Sequence, residues 1–168
     1  MANFLPAFDR MIANEGGFKL TNVANDKGGQ TYAGIARNRW PRWSGWQFVD
    51  RNEVPPTQLV RDFYKANFWD AIKGDYLLHQ GIADSLFDFA VNAGSKMAIK
   101  LAQIVAGVAA DGDIGPRTLD ALNALDEHEF KVSYALAKIA RYRDIVMKDR
   151  SQGKFLLGWI NRTLKESV

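Results

Sequence analysis

In the segment IANEGGFKL, residues 12–20, one carboxylate, Glu15, stands between an apolar-periodic run and two glycines. Carried round a helix at about 100° per residue, Phe4, Leu5, Phe8, Met11 and Ile12 are expected on one face, with Glu15 near its middle. A carboxyl on the core side of a helix and at its negative pole has its charged form disfavoured by desolvation and by the dipole together. Its pKa is therefore expected to rise, which is what a general acid needs at neutral pH. The competing reading is a frayed helix end with Glu15 turned to water.

The next stretch, NDKGGQTYAGI, places Asp26, Gln30, Thr31 and Tyr32 in a loop punctuated by Gly28, Gly29 and Gly34. Glycines let backbone approach a ligand closely, and the short polar side chains between them can be aimed at one point. A plain turn built on Asn25, Asp26 and Gly28 competes with that reading. Taken with Glu15, the loop supplies a second carboxylate and a hydroxyl. Glycoside hydrolysis uses such a set: one protonated carboxyl for the leaving oxygen, and a second group to hold water or steady the oxocarbenium-like transition state.

The elements that must position these groups are mostly helical. Asn3 is a good N-cap for a helix reaching Asn14, and residues 21–34 read as a hairpin or irregular loop of short strands. The aromatic segment RWPRWSGWQF follows, then helices expected over 56–69, 82–93 and 95–106, one beginning at Pro116, and two more over 127–149 and 154–166. The fold class is therefore mainly α with a small β-hairpin or loop excursion near the N-terminus. NAGS, at Gly94, marks the seam between a region 1–93 and a helical region 94–168, expected to pack as one globular unit.

Composition narrows the function classes. Across 168 residues, 47% hydrophobic and 12% aromatic content excludes a disordered chain, and zero cysteine excludes a disulfide framework and thiol catalysis. Net charge is +3, with a pI near 9.2, but the 22 basic residues are dispersed, so the surface favours polyanions only weakly. No secretory leader and no membrane-spanning stretch can be read, so no stable membrane insertion is expected. His79 and His128 lack ligand spacing, and DGDIGPRT lacks the remaining positions of a calcium loop, so no metal or organic cofactor is expected. A nucleic-acid binder is disfavoured, because neither a basic recognition helix nor a known motif is present.

NEGGF followed by NDKGGQTYAGIA resembles the pattern of glycoside hydrolase family 108, the N-acetylmuramidases also called secretion activator proteins or phage-type endolysins. LFDFAVNAGSKMAIKLAQ, DGDIGPRTLDAL and KFLLGWINR are similar to the later blocks of that family, the second belonging to its peptidoglycan-binding C-terminal region. The resemblance implies a lysozyme-like helical fold and cleavage of the β-1,4 link between N-acetylmuramic acid and N-acetylglucosamine in glycan strands. It places the catalytic glutamate on Glu15 and the water-holding or charge-stabilising roles on Asp26 and Thr31. The chain departs at Lys27, where the family often carries proline.

A leaderless enzyme of this kind is expected to be made in the cytoplasm and to act in the periplasm or on the wall, reaching it through a holin or a secretion system. A lytic transglycosylase and a non-catalytic wall-binding or secretion-assisting protein are the alternatives. Further along, the helix over 82–93 carries a polar strip of Asp84, Ser85, Asp88 and Asn92. Asp88 and Asn92 are candidates for hydrogen bonds to sugar, against an exposed helix edge as the bland reading. Tyr32 is the aromatic expected to face a sugar, and Trp40, Trp43, Trp46, Trp69 and Trp159 are more often core.

Overall fold

The computed structural model describes residues 1–14, 16–22 and 29–167; Glu15 and Asp26 lie outside the described residues. Among these there are eight α-helices and one three-stranded antiparallel sheet in the order β1-β2-β3. Helix α1, Phe4–Asn14, starts where the Asn3 side chain accepts the Leu5 N–H at 3.0 Å. It buries Phe4, Ala7, Phe8, Met11 and Ile12. Leu5, expected on that face, is 48% exposed, because it lies at the edge of the stripe and Ala7 fills the face instead.

The sheet comprises β1 (Leu20–Asn22), β2 (Gln30–Tyr32) and β3 (Ile35–Ala36), with Thr21 opposite Thr31 and Tyr32 opposite Ile35. That register leaves Ala33 and Gly34 as a two-residue turn with φ of 49° and 80°. Left-handed backbone at both positions gives the strands their twist, and it is the alanine that is strained there. The buried Tyr64 hydroxyl donates to the Ala33 carbonyl at 2.8 Å and pins the turn to the helical core.

A short helix, α2 (Trp46–Val49), lies in the aromatic segment, where the sequence pattern is too brief to reveal it. Helix α3 (Thr57–Tyr64) passes into a π-helical turn over Lys65–Trp69, so the single helix expected over 56–69 is real but changes pitch. Helices α4 (Gln80–Ala93) and α5 (Ser95–Val105) meet at Gly94, whose φ of 90° allows the sharp break. Pro116 opens α6 (Pro116–Asn123), and Asp126 caps α7 (Glu127–Lys148) by accepting the Glu129 N–H at 3.0 Å. After a 3₁₀ turn at Arg150–Gln152, α8 runs Gly153–Ser167.

Helix α4 is the axis of the molecule, with Ile82, Ala83, Leu86, Phe87, Phe89 and Ala90 buried round most of its circumference. One apolar cluster continues from Phe4 and Phe8 through α4 to Ala98, Leu122, Phe130, Tyr134 and Tyr142, across the seam at Gly94. Gln80 clasps the two helix starts, its side chain accepting from the Asn3 N–H at 2.7 Å and donating to the Asn3 carbonyl at 3.0 Å. The DGDIGPRT segment is a turn leading into α6. Fully buried Gln103 organises it by accepting the Gly112 N–H at 2.8 Å and donating to Asp111 at 2.8 Å.

Candidate active site

At the end of α1 the two glycines have φ of 87° (Gly16) and 81° (Gly17). The Gly17 N–H bonds the Ile12 carbonyl at 2.9 Å and the Gly16 N–H bonds that of Ala13 at 3.3 Å. This is a Schellman closure, which stops a helix abruptly and satisfies its last carbonyls. The chain then runs straight into the sheet. The Lys19 N–H bonds the Gly17 carbonyl at 3.0 Å, and the Lys19 carbonyl accepts the Ala33 N–H at 3.1 Å. Phe18 packs beside Phe8, with ring centroids 6.3 Å apart. The helix stop and the strand carrying Thr31 are therefore parts of one hydrogen-bonded unit.

Thr31 is half-buried in the middle of β2, its carbonyl accepting from the Thr21 hydroxyl at 3.4 Å. Strand alternation puts its side chain on the face opposite Tyr32. Gln30 is held by its carbonyl oxygen, which accepts from Arg37 at 2.8 Å. The same guanidinium grips Asp50 through two bonds of 2.7 and 2.8 Å and lies over the Trp46 ring. That pairing holds the Asp50 carboxyl below its ordinary range, so Gln30 is braced by a charged clamp.

Tyr32 corrects the sequence expectation. It is 4% exposed and its ring stacks on Trp43 at 6.0 Å, so its face belongs to the core, and burial raises its hydroxyl pKa. The alternation that points Thr31 to one face of the strand is what turns Tyr32 inward on the other. Trp46 and Trp69 are also core, as the bland reading expects, while Trp40 and Trp43 keep partly exposed edges on a groove with Arg39, Arg42, Phe63 and Asn67.

On α4 the polar strip divides. Asn92 is exposed near the helix end, and its amide has no hydrogen-bond partner among the described residues. Asp88 is 7% exposed, and Arg162 of α8 grips both its oxygens at 3.1 Å. Its carboxylate is committed to joining α4 to α8, and a sugar would have to compete with that pairing. Asp84 pairs with Arg10 and accepts from Gln80 at 2.7 Å, while its burial raises its pKa. Gln80 lies one helical turn from Asp84, but neither the Arg10 nor the Arg162 pairing could be read from local spacing.

Beside α1, a cavity of about 510 Å³ opens between α1, α4, α7 and the end of α8, bordered by Asn14 and Ser85. Lys165 reaches across from α8 to donate to the Asn14 side chain at 3.2 Å. Among the described residues no group of His, Asp or Glu is suited to hold a metal and no helix is long and apolar enough to cross a membrane.

An apolar-faced helix ending in a glycine stop, a small sheet joined to it and a long central helix make up a lysozyme-like, mainly α fold. The family model described as Glycosyl hydrolase 108 matches residues 8–94, and the chain belongs to that family. A second model, described as Predicted Peptidoglycan domain, matches residues 97–164. Among solved structures, the chain is similar to one titled Structure of Brucella abortus SagA, with 28% identity and a TM-score of 0.69 over 98% of this chain and 95% of that one. No curated protein matches the chain in sequence. The protein is a glycoside hydrolase of peptidoglycan.

Proposed function

We propose that the chain is an N-acetylmuramidase that hydrolyses the β-1,4 bond between N-acetylmuramic acid and N-acetylglucosamine. Glu15 gives its proton to the leaving oxygen, and Asp26 with Thr31 holds the water or steadies the positive charge that develops at the sugar. Asn92, exposed and unpartnered among the described residues, hydrogen-bonds the bound glycan. The enzyme is made in the cytoplasm and acts in the periplasm or on the wall, reached through a holin or a secretion system.

One observation carries this reading. The glycine closure after α1 bonds on through Lys19 to the turn of β2 and β3, so the positions that flank residue 15 and the strand of Thr31 are joined by backbone hydrogen bonds. Two groups that must cooperate on one glycosidic bond need such rigid support.

The test is mass spectrometry of fragments released from purified peptidoglycan by wild type and by Glu15→Gln. Wild type is expected to leave reducing N-acetylmuramic acid ends, and the variant to release nothing while melting within a degree or two of wild type. Ends in the 1,6-anhydro form would instead make the protein a lytic transglycosylase. A protein that sediments with walls but releases nothing would be a binding or secretion-assisting module.

A further inference from the structure

The cavity beside α1 has a charge pattern that the hydrolytic reading leaves unused. Arg10, Lys131 and Lys165 face it with Asp84, Asp88 and Glu127. Two of the carboxylates are already answered, Asp84 by Arg10 and Asp88 by Arg162. Among the described residues Lys131 has no charged partner, and Lys165 donates to no group but the neutral amide of Asn14. Among the described residues Glu127 accepts the backbone N–H of Gly81, at 2.8 Å, and has no ion-pair partner. Among the described residues, two ammonium groups and one carboxylate are therefore left without an ion-pair partner, in a concave site large enough for a small ligand.

A neutral glycan answers none of those charges, and a ligand of one sign meets its like. A peptide with free carboxylates and an amine answers all three. Peptidoglycan carries such a chain on every muramic acid, and the cavity borders Asn14, the residue before Glu15. We infer that the cavity between α1, α4 and α7 is a stem-peptide subsite, in which Lys131 and Lys165 take the peptide's carboxylates and Glu127 takes its amine. The inference rests on the muramidase reading and names the part of the substrate that this side of α1 recognises. It makes the enzyme selective for glycan that still bears its peptides.

The experiment compares two substrates from one preparation: intact peptidoglycan, and the same glycan stripped of its stems by an amidase. Wild type is expected to cleave the intact polymer with kcat/KM about tenfold higher, equivalent to roughly 1.4 kcal/mol of transition-state binding. In Lys131→Glu the ratio of the two rates is expected to fall to about one, and Lys131→Arg is expected to restore it. A wild type that does not distinguish the substrates, or a Lys131→Glu enzyme that still does, overturns the subsite. If wild type cleaves neither substrate, the muramidase reading fails, and the amidase-released peptide then decides the subsite alone. NMR shifts in wild type confined to the neighbourhood of Asn14, Ser85 and Lys131, and lost in Lys131→Glu, support it; no shifts there overturn it.

Discussion

Single side chains in this molecule do separable jobs, and the tryptophan at position 69 illustrates one of them. Its indole is fully buried and its N–H donates to Asp75 at 2.7 Å. That hydrogen bond first, and Lys65 second, hold the Asp75 carboxyl below its ordinary value of 3.8. Because the folded pKa lies below the unfolded one, ionised Asp75 adds stability above that pH, and the contribution is lost as pH falls through the folded value. Asp75→Asn is expected to melt below wild type at pH 7, with the gap closing under acid as pH drops below about 4. Melting curves of both proteins from pH 7 to pH 3 check this, and a gap constant with pH would remove the ionised carboxylate as the cause. Asn92, by contrast, is exposed, so Asn92→Ala is expected to leave the melting temperature unchanged while lowering kcat/KM on peptidoglycan by about tenfold, the scale of one good hydrogen bond to substrate. Turnover equal to wild type would take Asn92 out of the site.

Among the elements, the helices were legible because their apolar spacing and punctuation agree: the glycines after Asn14, Gly94 between α4 and α5, and Pro116 at the start of α6 all fall where the structure breaks or begins a helix. The sheet was legible only as a hairpin region. Its tightest turn uses Ala33 in left-handed backbone, which the sequence signals only through Gly34, and the compensation comes from Tyr64, far along the chain. Removing that hydroxyl by Tyr64→Phe leaves a buried carbonyl short of its donor, and about 1–3 kcal/mol of stability is expected to go with it. Denaturant titration measures the loss. The same substitution loosens the strand that carries Thr31, so activity is expected to fall further than the melting temperature alone explains. Ala33→Gly relieves the strained φ and is expected to recover part of the stability in the Tyr64→Phe background.

At the scale of the whole molecule, the two regions matched by different family models share one apolar core, and polar contacts fasten them, among them the pairing of Asp88 in α4 with Arg162 in α8 and the Gly81 N–H donated to Glu127. Local periodicity could show that Asp88 belongs to a polar strip, but not that its partner lies near the far end of the chain; that is why Asp88 reads as a sugar ligand in sequence and as a clamp in structure. Helix α8 relies on such contacts, because Phe155, Leu157 and Leu164 remain exposed along it and Thr163 is deeply buried. Its end in turn sets Lys165 against Asn14, at the close of α1. Arg162→Ala takes a cation from a largely buried carboxylate, with an expected cost of about 2–4 kcal/mol, whereas Asp88→Asn together with Arg162→Ala removes the buried negative charge as well and is expected to recover part of it. Hydrogen exchange locates the effect: in Arg162→Ala, amides of α8 are expected to lose protection before those of α4. Equal loss in both helices would mean that the ion pair supports the core as a whole, and that α8 is not fastened to it separately.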